Sequence, residues 1–337
     1  MKRIVRAGLA ALLLLSCRKS APRSPVERTG FFMDTVVHVS ILDREADEAR
    51  IDRAIDRAFG TVKAFESMQS GHVDTSDVSR ITRSAGGQAV QVRPETIDVL
   101  KLAEAVSERS EGAFDVTIRP LKDLWPFDSE NPAVPSPKTL RAVLPHIDYR
   151  QIVVRGDSVL LAKPGMGIDL GGIAKGYIVD RAVESLQRDG LRSGIVEAGG
   201  DLRIFGQHPE NKSWRIGVRH PRSEQSGLAA VLSTPAASIA TSGDYERYFM
   251  QDGKRYHHIL DPKTGFPASG CISVTVVAPL AVLADAYATA VFVLGPEKGS
   301  ALIGKMPGME CLIFYEKNGR LEHMLSAGLV SKVEFIE

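Results

Sequence analysis

Three stretches of this chain carry residue types whose spacing could do chemistry. The first is Asp169-Leu-Gly-Gly-Ile-Ala-Lys-Gly-Tyr177, where two glycines and a lysine enter a helical pattern. Glycine lets a ligand approach the backbone closely, a helix N-terminus offers free N–H groups to an anion, and Lys175 adds positive charge. A plain strand-to-helix turn with Lys175 in solvent fits the same residues. Neither a Walker A sequence nor G-x-G-x-x-G occurs. The second stretch is Ala240-Thr-Ser-Gly243 followed by Tyr256-His-His-Ile-Leu-Asp-Pro-Lys-Thr-Gly265. A histidine with a pKa of about 6.5 suits proton transfer at neutral pH, although a single histidine is more often structural. The third is Ala284-Asp-Ala-Tyr-Ala-Thr-Ala290. Asp285 and Thr289, four apart, share one helical face. On an apolar helix both need partners if buried. Oxygen-only ligands suit Mg²⁺, which relies on substrate phosphates for the rest of its shell; a buried, hydrogen-bonded aspartate fits equally well.

These residues have to be held by elements that the pattern partly reveals. Phe31 to Leu42 alternates as a strand, and residues 44–66 read as an amphipathic helix with Ile51, Ala54, Ile55, Ala58, Phe59 and Val62 at helical spacing. Residues 67–92 read as loop-rich, Pro94 to Glu108 as a helix, and residues 121–137, with Trp125 and Phe127, as an irregular surface loop. Ile152–Val154 and Val159–Ala162 form a hairpin pattern around Arg155-Gly156-Asp157, and Ile173 to Asp189 is helical up to Gly190. Short strands are expected at Gly194–Val196, Leu202–Phe205, Trp214–Val218 and Ala229–Leu232. A strand at Cys271–Val277, a helix at Val282–Leu294 ended by Gly295, and strands at Leu312–Tyr315 and Val333–Ile336 complete the reading. Strands in hairpin-like pairs without regular strand–helix alternation predict an α+β fold with antiparallel sheets and packed helices.

Seven motifs in one order resemble the ApbE-type FAD:protein FMN transferases, from about residue 31 to about residue 295. They are Phe32-Met-Asp-Thr35, Gly112-Ala-Phe-Asp-Val-Thr117 with Pro120-Leu121, Asp169 to Tyr177, Glu197-Ala-Gly-Gly-Asp201, Ala240 to Gly243, His258 to Gly265, and Ala284-Asp-Ala286 with Thr289. The resemblance implies an ApbE-like, T-fold-like architecture and a reaction in which FAD is split at its pyrophosphate. The FMN half would be joined to a threonine hydroxyl of a target flavoprotein, with AMP leaving. It further implies Mg²⁺ on Asp285, Thr289 and the Gly172 carbonyl, His258 as the base, and FAD contacts from Met33, Ala113, Phe114, Asp115, Asp169, Lys175 and Ile259, with Thr241 and Ser242 on the phosphate side. Acceptors of the family type are subunits of sodium-translocating NADH:quinone oxidoreductase or of Rnf-type complexes. Mg²⁺-dependent hydrolysis of FAD to FMN and AMP, and a flavin-binding lipoprotein without catalysis, are the alternative readings. This chain departs from the family pattern at Asp34, where glycine is usual, at Thr82 and Glu197, where asparagine is usual, and at Ala288, where some members have a second carboxylate. Lys175 is acidic in some relatives, and a cation there is expected to favour the pyrophosphate.

The composition agrees with a globular enzyme. Of 337 residues, 44% are hydrophobic and 25% charged, and 42 Lys plus Arg nearly balance 41 Asp plus Glu. That balance argues against nucleic acid as a partner. Three cysteines are too few for a disulfide scaffold; Cys271 and Cys311 are expected as buried thiols. Lys2, Arg3 and Arg6 precede a short apolar run ending in Leu14-Leu-Ser-Cys17, which resembles a lipobox. The expected organisation is a lipoprotein signal peptide over 1–16, a lipidated Cys17 with a flexible tether over 17–27, and a flavin transferase domain over 28–337. The expected location is a bacterial membrane surface facing the periplasm or cell exterior.

Overall fold

The computed structural model describes residues 24–210, 212–223 and 227–336. Cys17 and the expected signal peptide lie outside the described residues. The chain enters through a hairpin, β1 (Val26–Phe32) and β2 (Thr35–Ile41), and continues through α1 (Glu48–Gln69) and α2 (Asp77–Arg83). Strand β3 (Val90–Gln91) leads to α3 (Pro94–Arg109), α4 (Arg119–Lys122) and α5 (Pro137–Val143). A second hairpin, β4 (Ile152–Arg155) and β5 (Ser158–Leu161), precedes α6 (Ala174–Arg188). Next come β6 (Gly194–Ala198), β7 (Asp201–Phe205), β8 (Trp214–Arg219), β9 (Leu228–Thr234), β10 (Ser238–Gly243), β11 (Tyr248–Gln251), β12 (Lys254–His257) and β13 (Ser273–Ala278). The chain ends with α7 (Ala281–Leu294), α8 (Pro296–Ile303), β14 (Glu310–Lys317), β15 (Arg320–Leu325) and β16 (Val333–Phe335).

Eight strands form one sheet in the order β1-β2-β6-β7-β10-β13-β14-β15, and its neighbours pair antiparallel. The α+β, antiparallel expectation is therefore borne out. Helices α1 and α6 bury Ile51, Ile55, Val62, Ile178, Val183 and Leu186 against Val37, Val39 and Val196 of β2 and β6. Helix α7 is apolar all round because it is buried all round: Ala284, Ala286, Tyr287, Ala290 and Phe292 share a core with Ala240 of β10 and Val274 and Val276 of β13. Each large side chain so buried stabilises the fold by roughly 1.5–3 kcal/mol.

Several expectations need correction. Phe31 to Leu42 is not one strand. Met33 and Asp34 have φ of 53° and 56°, and Phe32 pairs with Thr35, so a two-residue turn splits the run. Strand β1 begins at Val26, inside the segment expected as tether, and its Arg28 reaches Asp52 and Asp56 of α1 (3.4 and 3.0 Å). The loop-rich stretch contains α2, whose Ser76 hydroxyl accepts from Ser79 N at 3.0 Å. Trp125 is not at the surface: its indole donates to Gly265 O (3.0 Å), and Phe127, Phe249, Tyr256 and Phe266 surround its ring. Strands β10, β11, β12 and β15 lack a pattern that announced them. Cys271 and Cys311 are buried and unbonded, and burial pushes their thiols up to about 12 and about 11, which leaves them unreactive.

Candidate active site

Helices α6 and α7 both begin without a side-chain cap of their own. They cap each other instead. The Asp180 carboxylate of α6 accepts from Ala281 N (3.0 Å) and Val282 N (2.9 Å) at the start of α7. In return, Asp285 Oδ2 of α7 accepts from Gly176 N (3.0 Å) in the first turn of α6. Arg203 supplies the countercharge to Asp180 at 2.7 Å. Gly176 is a glycine for a packing reason, since a Cβ there would lie 2.3 Å from Ala281 O.

This exchange shapes the glycine turn. The amide of Gly176 would ordinarily close a helical bond onto the carbonyl of Gly172. It is drawn to Asp285, and no backbone amide of the described residues donates to Gly172 O. A Cβ on Gly172 would stand 3.2 Å from Thr289 Oγ1 and 3.2 Å from the Phe114 ring, and Ser242 Oγ lies 3.4 Å from Thr289 Oγ1. Gly172, Asp285, Thr289, Phe114 and Ser242 are thus gathered from four separate segments. Asp285 Oδ2 is engaged, whereas Oδ1 accepts no hydrogen bond from the described residues. Burial and the nearby Asp201 push the Asp285 carboxyl up, against the pull of Lys175 and the Gly176 amide. One carboxylate oxygen, one hydroxyl and one open carbonyl make a hard, oxygen-only donor set that fits Mg²⁺. Among the described residues no three His, Cys, Asp or Glu side chains cluster to hold a metal ion, so a metal here would rest on this mixed oxygen set and on the substrate.

Lys175 does not present a free charge. Its ammonium bonds to the buried Asp201. Burial opposes the charge, but Asp201, Asp285 and Glu246 outweigh it and raise the pKa. Asp115 is likewise engaged: Oδ1 accepts from Thr117 N (2.8 Å) and Thr117 Oγ1 (2.6 Å), and Oδ2 from Tyr149 N (2.9 Å). Its carboxylate fixes the Ala113–Thr117 loop. Asp169 Oδ1 accepts from Gly171 N (2.9 Å) and Oδ2 from Lys122 Nζ (2.8 Å). Thr241 pairs across strands with Thr275 at 2.9 Å. Met33 donates its amide to Glu66 (2.7 Å), and its turn rests on the β6–β7 turn, with Thr35 Oγ1 2.7 Å from where a Gly199 Cβ would stand.

The two adjacent histidines separate cleanly. His257 Nε2 bonds the Ala268 carbonyl (3.0 Å) and its Nδ1 accepts from Ile259 N (3.3 Å), so it is structural. Ala268 N also donates to Ile259 O (2.9 Å), so both backbone polar groups of Ile259 are engaged. His258 is different: its Nδ1 is buried without a partner, and Nε2 is the nitrogen left open. Burial, then the charges of Lys122, His257 and Arg247, lower its pKa to about 4. A neutral imidazole at working pH is what a proton acceptor requires.

The departures also find physical roles. Thr82 Oγ1 accepts from Ile168 N (3.0 Å) next to Asp169. Glu197 Oε1 accepts from Gly200 N (2.5 Å) and braces the turn that presents Asp201. Ala288 is 1% exposed, so a carboxylate there would be buried beside Asp285. Sequence reasoning passed over Lys122, Asp180 and Asp201 as site-building residues. Asp201 stood inside a quoted motif, but nothing local signalled its pairing with Lys175.

The sequence pattern of the ApbE family matches residues 33–313. The chain is 34% identical to the FAD:protein FMN transferase of Treponema pallidum over 98% of this chain and 96% of that protein. It is 34% identical to the Vibrio cholerae FAD:protein FMN transferase over 88% of this chain and 89% of that one. The crystal structure of the ApbE protein from Thermotoga maritima superposes with a TM-score of 0.80 at 37% identity, covering 89% of this chain and 96% of that one. The flavin transferase ApbE from Vibrio cholerae gives a TM-score of 0.81 at 29% identity, covering 92% and 99%.

Proposed function

Since the chain belongs to the ApbE family, several of whose members carry the name FAD:protein FMN transferase, we propose that it is an enzyme that transfers the FMN moiety of FAD to another protein. We further propose that the acceptor atom is a threonine hydroxyl, that AMP is the leaving group and that the reaction depends on Mg²⁺. The observation that carries this reading is a Gly172 carbonyl left without a backbone donor, on a residue whose Cβ position lies 3.2 Å from Thr289 Oγ1, one helical turn from the unengaged oxygen of Asp285. Those three groups would hold the metal, which supplies charge neutralisation to the pyrophosphate oxygens. Phe114 and Met33 offer apolar contact to the flavin half. The threonine oxygen bonds to the FMN phosphorus, the phosphoanhydride bond to AMP breaks, and His258 Nε2 takes the hydroxyl proton. Cys17 is proposed as a lipid anchor that keeps the enzyme on an extracytoplasmic membrane face, where it would serve flavoproteins of that compartment. No helix among the described residues is long and apolar enough to cross a membrane.

The mature chain, incubated with FAD, Mg²⁺ and an extracytoplasmic flavoprotein domain bearing a threonine acceptor, tests the proposal. Flavin fluorescence that remains with the denatured acceptor, with one AMP released per flavin attached, is the expected result. Free FMN and AMP without labelling would instead make it a pyrophosphatase, and FAD binding with neither product would make it a carrier.

A further inference from the structure

The charged groups around the glycine turn are sorted by sign. On the α7 side Lys175 stands among Asp201, Asp285 and Glu246; Glu246 also pairs with Arg219 (3.8 Å), which leaves Asp201 and Asp285 as two carboxylates to the one ammonium. On the other side Asp169 stands near Lys122 and Arg119, and burial of its carboxyl is outweighed by those cations, which lower its pKa. His258 lies on that same side, near Lys122 and Arg247. Of these cations, Arg119 is bonded to Asp123 (2.6 Å) and Gly71 O (3.3 Å), and Arg247 to Asp128. Among the described residues Lys122 bonds only Asp169, at 2.8 Å, and a Cβ on Gly171 would stand 3.3 Å from its Nζ. An ammonium has three donors, so two remain, and the side chain is 30% exposed.

We propose that Lys122 is a binding residue for the phosphate chain of FAD, its ammonium held by Asp169 at the edge of the glycine turn and directed at the oxyanions that face away from the metal end. This inference rests on the transferase reading above and assigns the part that Lys175 was expected to play. A substrate that carries two negative charges needs a cation on each side of the turn. The acidic end recruits one as Mg²⁺, and the basic end supplies the other from the chain itself. Asp169 acts as the clamp, because the same carboxylate that holds Lys122 also bonds the Gly171 amide.

Fluorescence titration of FAD into the mature chain in EDTA, at low and high NaCl, provides a test that does not depend on turnover. Lys122→Met is expected to weaken FAD binding by about tenfold and to flatten the dependence of affinity on salt, while Lys122→Arg keeps both close to wild type. Unchanged affinity in Lys122→Met overturns the proposal. So does weaker binding with an unchanged salt slope, which would mark a structural role. Failure of the wild-type chain to bind FAD in a parallel titration with Mg²⁺ as well as in EDTA would overturn the functional reading itself, whereas the first two outcomes leave that reading standing.

Discussion

His258 and Asp285 are both buried polar residues, yet their surroundings push them towards opposite roles. His258 has no orienting partner on Nδ1, and its folded pKa of about 4 lies well below the ordinary 6.5. Well above pH 6.5 the ring is neutral folded or unfolded and contributes no pH dependence. As pH falls from 6.5 towards 4 the unfolded chain takes the proton first, so stability drops by up to about 3 kcal/mol. Urea melts at pH 7 and pH 4.5 are expected to show a smaller acid loss for His258→Gln than for wild type. The same variant is expected to retain FAD binding while transferring flavin about 10²–10⁴-fold more slowly; normal turnover per bound FAD would remove the histidine from the chemistry. Asp285→Asn keeps an acceptor for Gly176 N but loses the anionic ligand. Metal-dependent turnover is expected to fall about 10²-fold with little change in melting temperature, as read from a Mg²⁺ titration and a thermal melt.

At the scale of elements, the mutual capping of α6 and α7 sets the site. A helix end with unpaired N–H groups is costly when buried, and here each end is satisfied by the carboxylate of the other helix. The register so fixed brings Gly172 against Thr289. Asp180→Ala removes two hydrogen bonds and leaves Arg203 without its buried partner, so a loss of about 3–5 kcal/mol is expected in chemical denaturation. Gly176→Ala is expected to be worse for catalysis than for folding. Its methyl meets the Ala281 carbonyl, so α6 and α7 must separate by an ångström or so, and the metal donors part with them. A flavin-transfer rate at least tenfold below wild type in a chain that still melts cooperatively would bear this out.

The molecule as a whole brings together segments far apart in the chain. Strand β2 pairs with β6, β7 with β10, and β10 with β13, and α7, which carries Asp285 and Thr289, packs against β7, β10 and β13. The binding site therefore lies between parts that only the folded state unites, and a ligand that bridges them stabilises the native state alone. FAD with Mg²⁺ at about 100 times the dissociation constant is expected to add about 2.7 kcal/mol, a rise of several degrees in melting temperature. Asp285→Asn should lose the Mg²⁺-dependent share of that rise and keep the rest.

Much of this protein is legible from the order of its residues. The periodicity of α1, α3, α6 and α7 gave their existence and nearly their ends, because 3.6-residue spacing is a local property. The four-residue step from Asp285 to Thr289 placed both on one face, and the motif order pointed to a flavin transferase. What no window of sequence contains is a pairing between residues dozens to a hundred positions apart. Asp285 with Gly176, Asp180 with Ala281, Lys122 with Asp169, and the difference between His257 and His258 depend on which surfaces meet. Those contacts exist only once burial makes an unpaired amide or charge too costly to leave alone, and for that reason tertiary structure, not pattern, decided where each charge of the site would lie.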